Sequence, residues 1–333
     1  MKNQTRLRFG LLLLGGMALA AYPYVTGVAA SAPGGAQAAA GDRLQNEPAH
    51  PALQGFGWRS IGPTGQGGRI HAIEAVESDT KTFFLGFATA GLWKTSNRGV
   101  TYDLVFPVQD DHHTHSIGAL AIAPSNPNIL YVGTGEACNR QSSSFGTGVY
   151  KSTDGGTTFT HLGLRETQSI ARIVVHPRNP DMAWVAAVGN LFGSNAERGL
   201  FMTTDGGKIW NKTLYLDEHT GVTDVVVDRS NPNILLAATY QRQRSAWGFI
   251  GGGPGSGIHQ SSDGGRTWRR LSGNGLPAGV MGRIGLAMSR SNPNVVYAQI
   301  EVAPTEAVAG AAPPAPLAGR GGGGGGGGGR GGQ

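Results

Sequence analysis

Apolar positions between residues 56 and 302 fall in short runs with no helical spacing: Ile117 to Ile122, Ile129 to Val132, Ile173 to Val175 and Val295 to Tyr297. These runs are rich in β-branched residues and bounded by Pro, Gly and Asn, which predicts strands. A polar turn separates the two runs of each pair: Ser125-Asn126-Pro127-Asn128, Arg178-Asn179-Pro180-Asp181, Ser230-Asn231-Pro232-Asn233 and Ser291-Asn292-Pro293-Asn294. Proline fixes its own φ and drives the preceding residue into an extended conformation, so Asn-Pro starts a turn.

A second signature keeps step with the first. Thr-Asn-Arg-Gly-Val-Thr-Tyr, Thr-Asp-Gly-Gly-Thr-Thr-Phe, Thr-Asp-Gly-Gly-Lys-Ile-Trp and Ser-Asp-Gly-Gly-Arg-Thr-Trp centre on Asn97, Asp154, Asp205 and Asp263, at spacings of 57, 51 and 58 residues. A fixed period of this size marks a repeat architecture. Each period holds four strands, A to D, with the Asn-Pro turn between A and B and the Asp-Gly-Gly turn between C and D. In the second unit they are expected at 117–123, 129–135, 148–152 and 158–163. The reading is all-β: a β-propeller of four-stranded antiparallel blades, four full blades plus part of a fifth. A stacked β-solenoid needs shorter and more uniform turns.

The fifth unit shows strands A and B at Ile284–Met288 and Val295–Ile300, and no further Asp-Gly-Gly turn. At the other end, Phe56-Gly57-Trp58-Arg59-Ser60-Ile61-Gly62 resembles the D strands, such as Thr158 to Gly163. Two expectations stand: a propeller cut mid-blade whose native product is longer, or a five-bladed ring closed by the leading D strand.

Outside 56–302 the composition changes. Lys2, Arg6 and Arg8 precede the apolar stretch Phe9 to Ala21, and small residues follow, as in a secretory signal at 1–30 with a flexible linker at 31–55. The apolar stretch is too short to span a membrane. Without a cysteine there to carry a lipid, release into the periplasm or medium is expected. Residues 303–333 form an Ala/Pro/Gly-rich low-complexity tail that includes Gly321–Gly329. The formal charge of +6 shrinks to +1 for residues 31–319, so no basic stripe points to nucleic acid. The single cysteine, Cys138, excludes an intrachain disulfide.

Asp followed by two glycines suits a tight turn with positive φ, and the carboxylate can accept backbone N–H bonds there. One carboxylate per blade at one turn (Asp154, Asp205, Asp263) is a structural staple, with Phe159, Trp210 or Trp268 expected to pack between adjacent sheets. Asn97-Arg98 departs from the pattern, which predicts a weaker turn in the first blade. The pattern resembles the Asp-box, or bacterial neuraminidase repeat. Together with Trp58-Arg59-Ser60-Ile61-Gly62-Pro63, Gly67-Gly68-Arg69-Ile70, Gly91-Leu92-Trp93-Lys94-Thr95, Val132-Gly133-Thr134-Gly135-Glu136 and Gly148-Val149-Tyr150-Lys151-Ser152, it resembles a secreted bacterial group. That group is labelled glycosyl hydrolase or sortilin N-terminal-like. The resemblance implies the propeller. It leaves activity open, because such propellers include sialidases, xyloglucanases, sortilin-type receptors and photosystem-assembly factors.

In such a blade the D–A connections and B–C loops emerge on one face, where long variable loops carry function. Those loops bring Glu136, Asn139, Arg140, Asn190, Glu197, Arg198, Arg242, Arg244 and Trp247. Arg69, Arg172 and Arg283 begin three A strands and are expected to ring the channel mouth, either as a carboxylate clamp or paired with local acids. Sialidases hold their carboxylate with three arginines, and also need a tyrosine beside a glutamate; Tyr240 and Glu136 are the nearby pair. Glu136 is the best single carboxylate for glycoside hydrolysis, which ordinarily needs two. Trp247 with Phe249 suits either stacking on a sugar or a packing lid. His112, His113 and His115 read as a solvated loop rather than a metal site, and no cofactor is expected.

Two functions follow. The first is an exported scaffold binding an extracellular glycan, protein or peptide on its loop face. The alternative is a glycoside hydrolase resembling sialidases or xyloglucanases whose active site needs more chain.

Overall fold

A computed structural model describes residues 68–106 and 115–302. The expected leader and linker, the leading strand at 56–62, His112, His113 and the tail lie outside the described residues. Among the described residues, nineteen short strands account for the apolar runs. The first sheet is β1 (Ile70–Ala75), β2 (Phe83–Phe87), β3 (Leu92–Thr95) and β4 (Asp103–Phe106), paired in that order. The second is β5 (Ile117–Ala123), β6 (Asn126–Thr134), β7 (Val149–Ser152) and β8 (Thr160–His161). The third is β9 (Ile170–Val175), β10 (Ala183–Ala187), β11 (Gly199–Thr203) and β12 (Asn211–Leu214). The fourth contains β13 (Thr220–Val227), β14 (Leu235–Arg244), β16 (Gly257–Ser261) and β17 (Arg269–Arg270), with β15 (Phe249–Gly251) paired on the far end of β14. The antiparallel pair β18 (Met281–Met288) and β19 (Val296–Val302) supplies strands A and B of a fifth blade. This is a β-propeller with four full blades and part of a fifth, as the repeat predicts.

One expectation changes. Arg242 and Arg244, expected on a B–C loop, lie on β14, which continues to Arg244 with β15 returning along it. Ile250 and Phe249 carry enough β propensity to extend the ladder once the turn at 245–248 closes, with Ser245 N donating to Gly248 O at 2.9 Å.

Burial explains the composition of each strand. Central strands are covered on both faces: all five residues of β10, Ala-Trp-Val-Ala-Ala, are buried, as are all five of β11. The outermost strand β17 exposes both arginines. Four apolar clusters lie between consecutive sheets. One combines Phe84, Leu92 and Phe106 with Ile117, Leu130 and Tyr150, and another combines Trp184, Leu200 and Met202 with Val222, Val225 and Leu235. Successive A strands, β1, β5, β9, β13 and β18, neighbour one another around a channel.

The repeated turns hold the blades in register. In the second blade, Asp154 Oδ1 accepts from Ser152 Oγ at 2.7 Å, Thr157 N at 3.0 Å and Thr158 N at 2.9 Å, while Oδ2 accepts from Thr158 Oγ1 at 2.6 Å. Asp205 and Asp263 repeat the backbone contacts at 2.9–3.0 Å. The Thr158 hydroxyl, then the Thr158 N–H, holds the Asp154 carboxyl well below the usual carboxylate range. Each turn aims its aromatic at the preceding blade: Phe159 lies 5.1 Å from the Phe106 ring, and Trp210 Nε1 donates to Leu162 O at 2.9 Å. The second glycine is required twice over. At Gly265 φ is +85°, and a Cβ would stand 2.4 Å from Trp184 Nε1 of the preceding blade.

Asn97 keeps most of this geometry, because an amide oxygen also accepts: Thr101 N donates to Asn97 Oδ1 at 2.9 Å and Gly99 N to Thr95 Oγ1 at 2.9 Å. The weak point is the next residue. Arg98 has φ +63° where the other three turns have glycine.

Near the A–B turns the channel holds a cavity of about 250 Å³ lined by Glu74, Arg172, Arg229 and Arg290 among apolar strand residues. Glu77, just after β1, accepts from Arg229 at 2.8 Å and Arg290 at 2.9 Å, so turns of the first, fourth and fifth blades meet there. These pairs are solvent-exposed, so they set geometry more than stability. No helix among the described residues is long and apolar enough to cross a membrane.

Two outcomes follow from the turns and the core. Arg98→Gly removes a left-handed arginine, and we expect a stability gain of up to about 1 kcal/mol, read by chemical denaturation. His259 is buried on β16 opposite Arg270, and burial, then that charge, pushes its pKa down to about 4. The folded state therefore resists a proton that the unfolded chain takes up below about 6.5. Stability should be full above pH 6.5 and fall by up to about 3 kcal/mol as pH drops to 4. His259→Gln should flatten that slope in denaturation curves taken across the same range.

Candidate functional site

Two buried guanidiniums organise the B–C loop face. Arg242, near the end of β14, is fully buried; it donates to Ala137 O at 3.0 Å, Asn139 Oδ1 at 2.9 Å and Gly189 O at 3.2 Å. Arg198, just before β11, is also fully buried and donates to Val188 O, His219 O, Arg242 O, Asn190 O and Gly193 O. Five donors in a rigid fork suit arginine to collecting loop carbonyls that no ladder satisfies. Burial pulls both down, Arg198 to about 10 and Arg242 to about 9, which leaves them cationic at neutral pH. Arg244 N donates to Leu191 O at 2.8 Å and Arg244 Nη2 to Asn139 O at 3.1 Å. The loops of the second, third and fourth blades are thus one hydrogen-bonded body. Arg242, Arg244 and Asn139 were expected to bind ligand; their polar atoms are largely spent on each other and on backbone.

The channel mouth lies inside this body. Glu136 is fully buried and accepts from Arg69 Nε at 2.7 Å, across the boundary between the first two blades. Its Oε2 has no hydrogen-bond partner among the described residues. Arg172 stands 3.7 Å from Asp224 on the next blade, and Asp224 also accepts from Leu286 N of the fifth at 2.9 Å. Burial pushes the Asp224 carboxyl up, and the Leu286 N–H and Arg172 oppose the shift. Arg283 on β18 lies within electrostatic reach of both Asp224 and Cys138. The three A-strand arginines line one passage, with Arg69 and Arg172 matched to acids of neighbouring blades. Tyr240 does not meet Glu136 as a nucleophile pair. Its hydroxyl accepts from Asn139 Nδ2 at 2.9 Å, and burial raises its pKa, opposite to what a phenolate nucleophile needs. Among the described residues no group of three acids, histidines or cysteines can hold a metal.

Some side chains face solvent. Trp247 is 88% exposed, and Phe249 beside it carries the Arg244 guanidinium 4.7 Å over its ring. Phe145 and Phe192, from the second and third B–C loops, are exposed and meet edge to face at 6.1 Å. Arg140 is exposed. Sequence reasoning missed Phe145, Phe192 and His71. The signal for His71 was its place at the start of an A strand, two residues beyond Arg69.

No protein-family profile matches the chain. It is 24% identical over 261 residues to a xyloglucanase of a Paenibacillus species, a match covering 73% of this chain and 24% of that protein. It is 25% identical over 176 residues to a probable oligoxyloglucan-reducing end-specific xyloglucanase of Neosartorya fischeri, covering 49% of this chain and 18% of that one. Among solved structures, an ancestral GH74 enzyme aligns at TM-score 0.53 and 24% identity over 73% of this chain and 28% of the other. The chain therefore spans a quarter or less of the length of the curated relatives it matches. The fold is a β-propeller, and the sequence is similar to glycosyl hydrolases of the xyloglucanase kind.

Arg242→Met should cost about 2–4 kcal/mol, because it leaves buried carbonyls without donors. Denaturation should show the loss, and amide exchange should quicken at residues 136–140 and 189–193 before it does so in the sheets.

Proposed function

We propose that this propeller serves glycoside hydrolysis by binding a β-glucan chain of the xyloglucan class across its B–C loop face. The observation that carries the reading is sequence similarity to xyloglucanases over 261 residues. The exposed aromatics support it. Phe145, Phe192, Trp247 and Phe249 offer flat apolar faces on three adjacent loops, suited to the C–H faces of pyranose rings, and Arg140 adds a donor beside them. The repeated turns are read as Asp-boxes, structural in role, and the chain as exported through its leader.

Glu136 is the candidate acidic residue, with one carboxylate oxygen still unpartnered among the described residues. Arg69 donates to it and compensates its charge. That compensation favours a second reading, a glycan-binding scaffold with no chemistry of its own.

The test is binding and turnover by the full chain with xyloglucan oligosaccharides, using sialosides as the control acidic glycan. Calorimetry should show binding that Trp247→Ala weakens about tenfold, or about 1.4 kcal/mol. Release of new reducing ends that Glu136→Gln abolishes without loss of binding supports the hydrolase. Binding without release supports the scaffold, and absence of any β-glucan binding rejects both.

A further inference from the structure

The mouth of the channel holds a pair of groups that glycan binding does not use. Cys138, the single cysteine, is partly buried on the second B–C loop, and its Sγ lies 3.3 Å from His71 Nε2 on β1. His71 Nδ1 lies 2.8 Å from Gly118 O. A carbonyl only accepts, so Nδ1 carries the ring hydrogen and Nε2 presents its lone pair to the thiol. This is the arrangement in which a positioned base takes a proton from a nucleophile and a third group fixes the base's tautomer.

The surroundings are built rather than incidental. Arg242 grips Ala137 O and Asn139 Oδ1 on either side of Cys138; it is fully buried, and its Nε has no partner among the described residues. The His71 bond, followed by Arg283 from β18, holds the thiol below its ordinary range against the opposing effects of burial and Glu136. Arg69 and Arg242 are further charged neighbours of Cys138, Arg69 paired with Glu136, and Tyr240 is held by the adjacent Asn139. Acyl transfer would further need converging N–H donors for an oxyanion. The N–H groups of Glu136 and Arg140, on either side of Cys138, are engaged by Ser144 O and Ser143 Oγ. Attack on a disulfide needs no such donors.

We infer that His71 and Cys138 form a reactive thiolate pair that takes up a small thiol from a low-molecular-weight disulfide. His71 Nε2 accepts the Cys138 proton, and the thiolate attacks one sulfur of the disulfide. The S–S bond of the reagent breaks as the new Cys138 S–S bond forms. The other half leaves as a thiolate and takes the proton back from His71. With no second cysteine in the chain to resolve it, the mixed disulfide persists until an external thiol removes it.

The experiment follows the full chain with dithiodipyridine from pH 4 to 10, reading thiopyridone release, and with oxidised glutathione, reading the mass of a single adduct. The expected rate midpoint lies below about 8.5, the ordinary thiol value, and Cys138→Ser releases nothing. His71→Gln should slow the reaction at pH 6 at least about tenfold and move the midpoint upward. A wild-type midpoint at or above 8.5, or an unchanged rate in folded His71→Gln, overturns the pair. Should that variant fail to fold, the wild-type profile decides alone.

Discussion

The second, third and fourth sheets bury both faces against their neighbours, and every other device serves that contact. A four-stranded sheet of short strands has no core of its own. Phe84, Trp184 and their equivalents become core only when the next blade covers them. Burial of a side chain the size of Trp184 contributes roughly 2–3 kcal/mol. The Asp-Gly-Gly turns matter because they aim the wedge. Carboxylates at Asp154, Asp205 and Asp263 freeze the turn so that Phe159, Trp210 and Trp268 meet the preceding sheet. The staple and the wedge are one mechanism.

The loop face solves a different problem with different chemistry. Its backbone leaves carbonyls outside any ladder, and there is little apolar material to cover them. Arg198 and Arg242 supply the donors from within, so the face is stiff and these two cations are already committed. A guanidinium spent on carbonyls cannot clamp a carboxylate. The loop side chains left in solvent include Phe145, Phe192, Trp247, Phe249 and Arg140.

Much of the architecture was legible because it repeats. Four copies of one turn and four Asn-Pro turns located strand boundaries to within a few residues, and the central strands announced themselves by unbroken apolar runs such as Ala183–Ala187. The extension of β14 was hidden, since Gln241 to Arg244 look like loop residues until β15 is seen to pair with them. The site was less legible. Arg242 and Trp247 are five residues apart in one segment, yet one is sealed inside and the other stands in solvent.

The sequence alone determined the period and the fold class, because these depend on local patterns of turn residues and burial. Tertiary structure decided which charges are free. Arg69 met Glu136, Arg172 met Asp224, and His71 met Cys138, each across a blade boundary. Contacts between residues some fifty or more positions apart in the chain depend on how sheets are rotated about a common channel, and no local pattern carries that information.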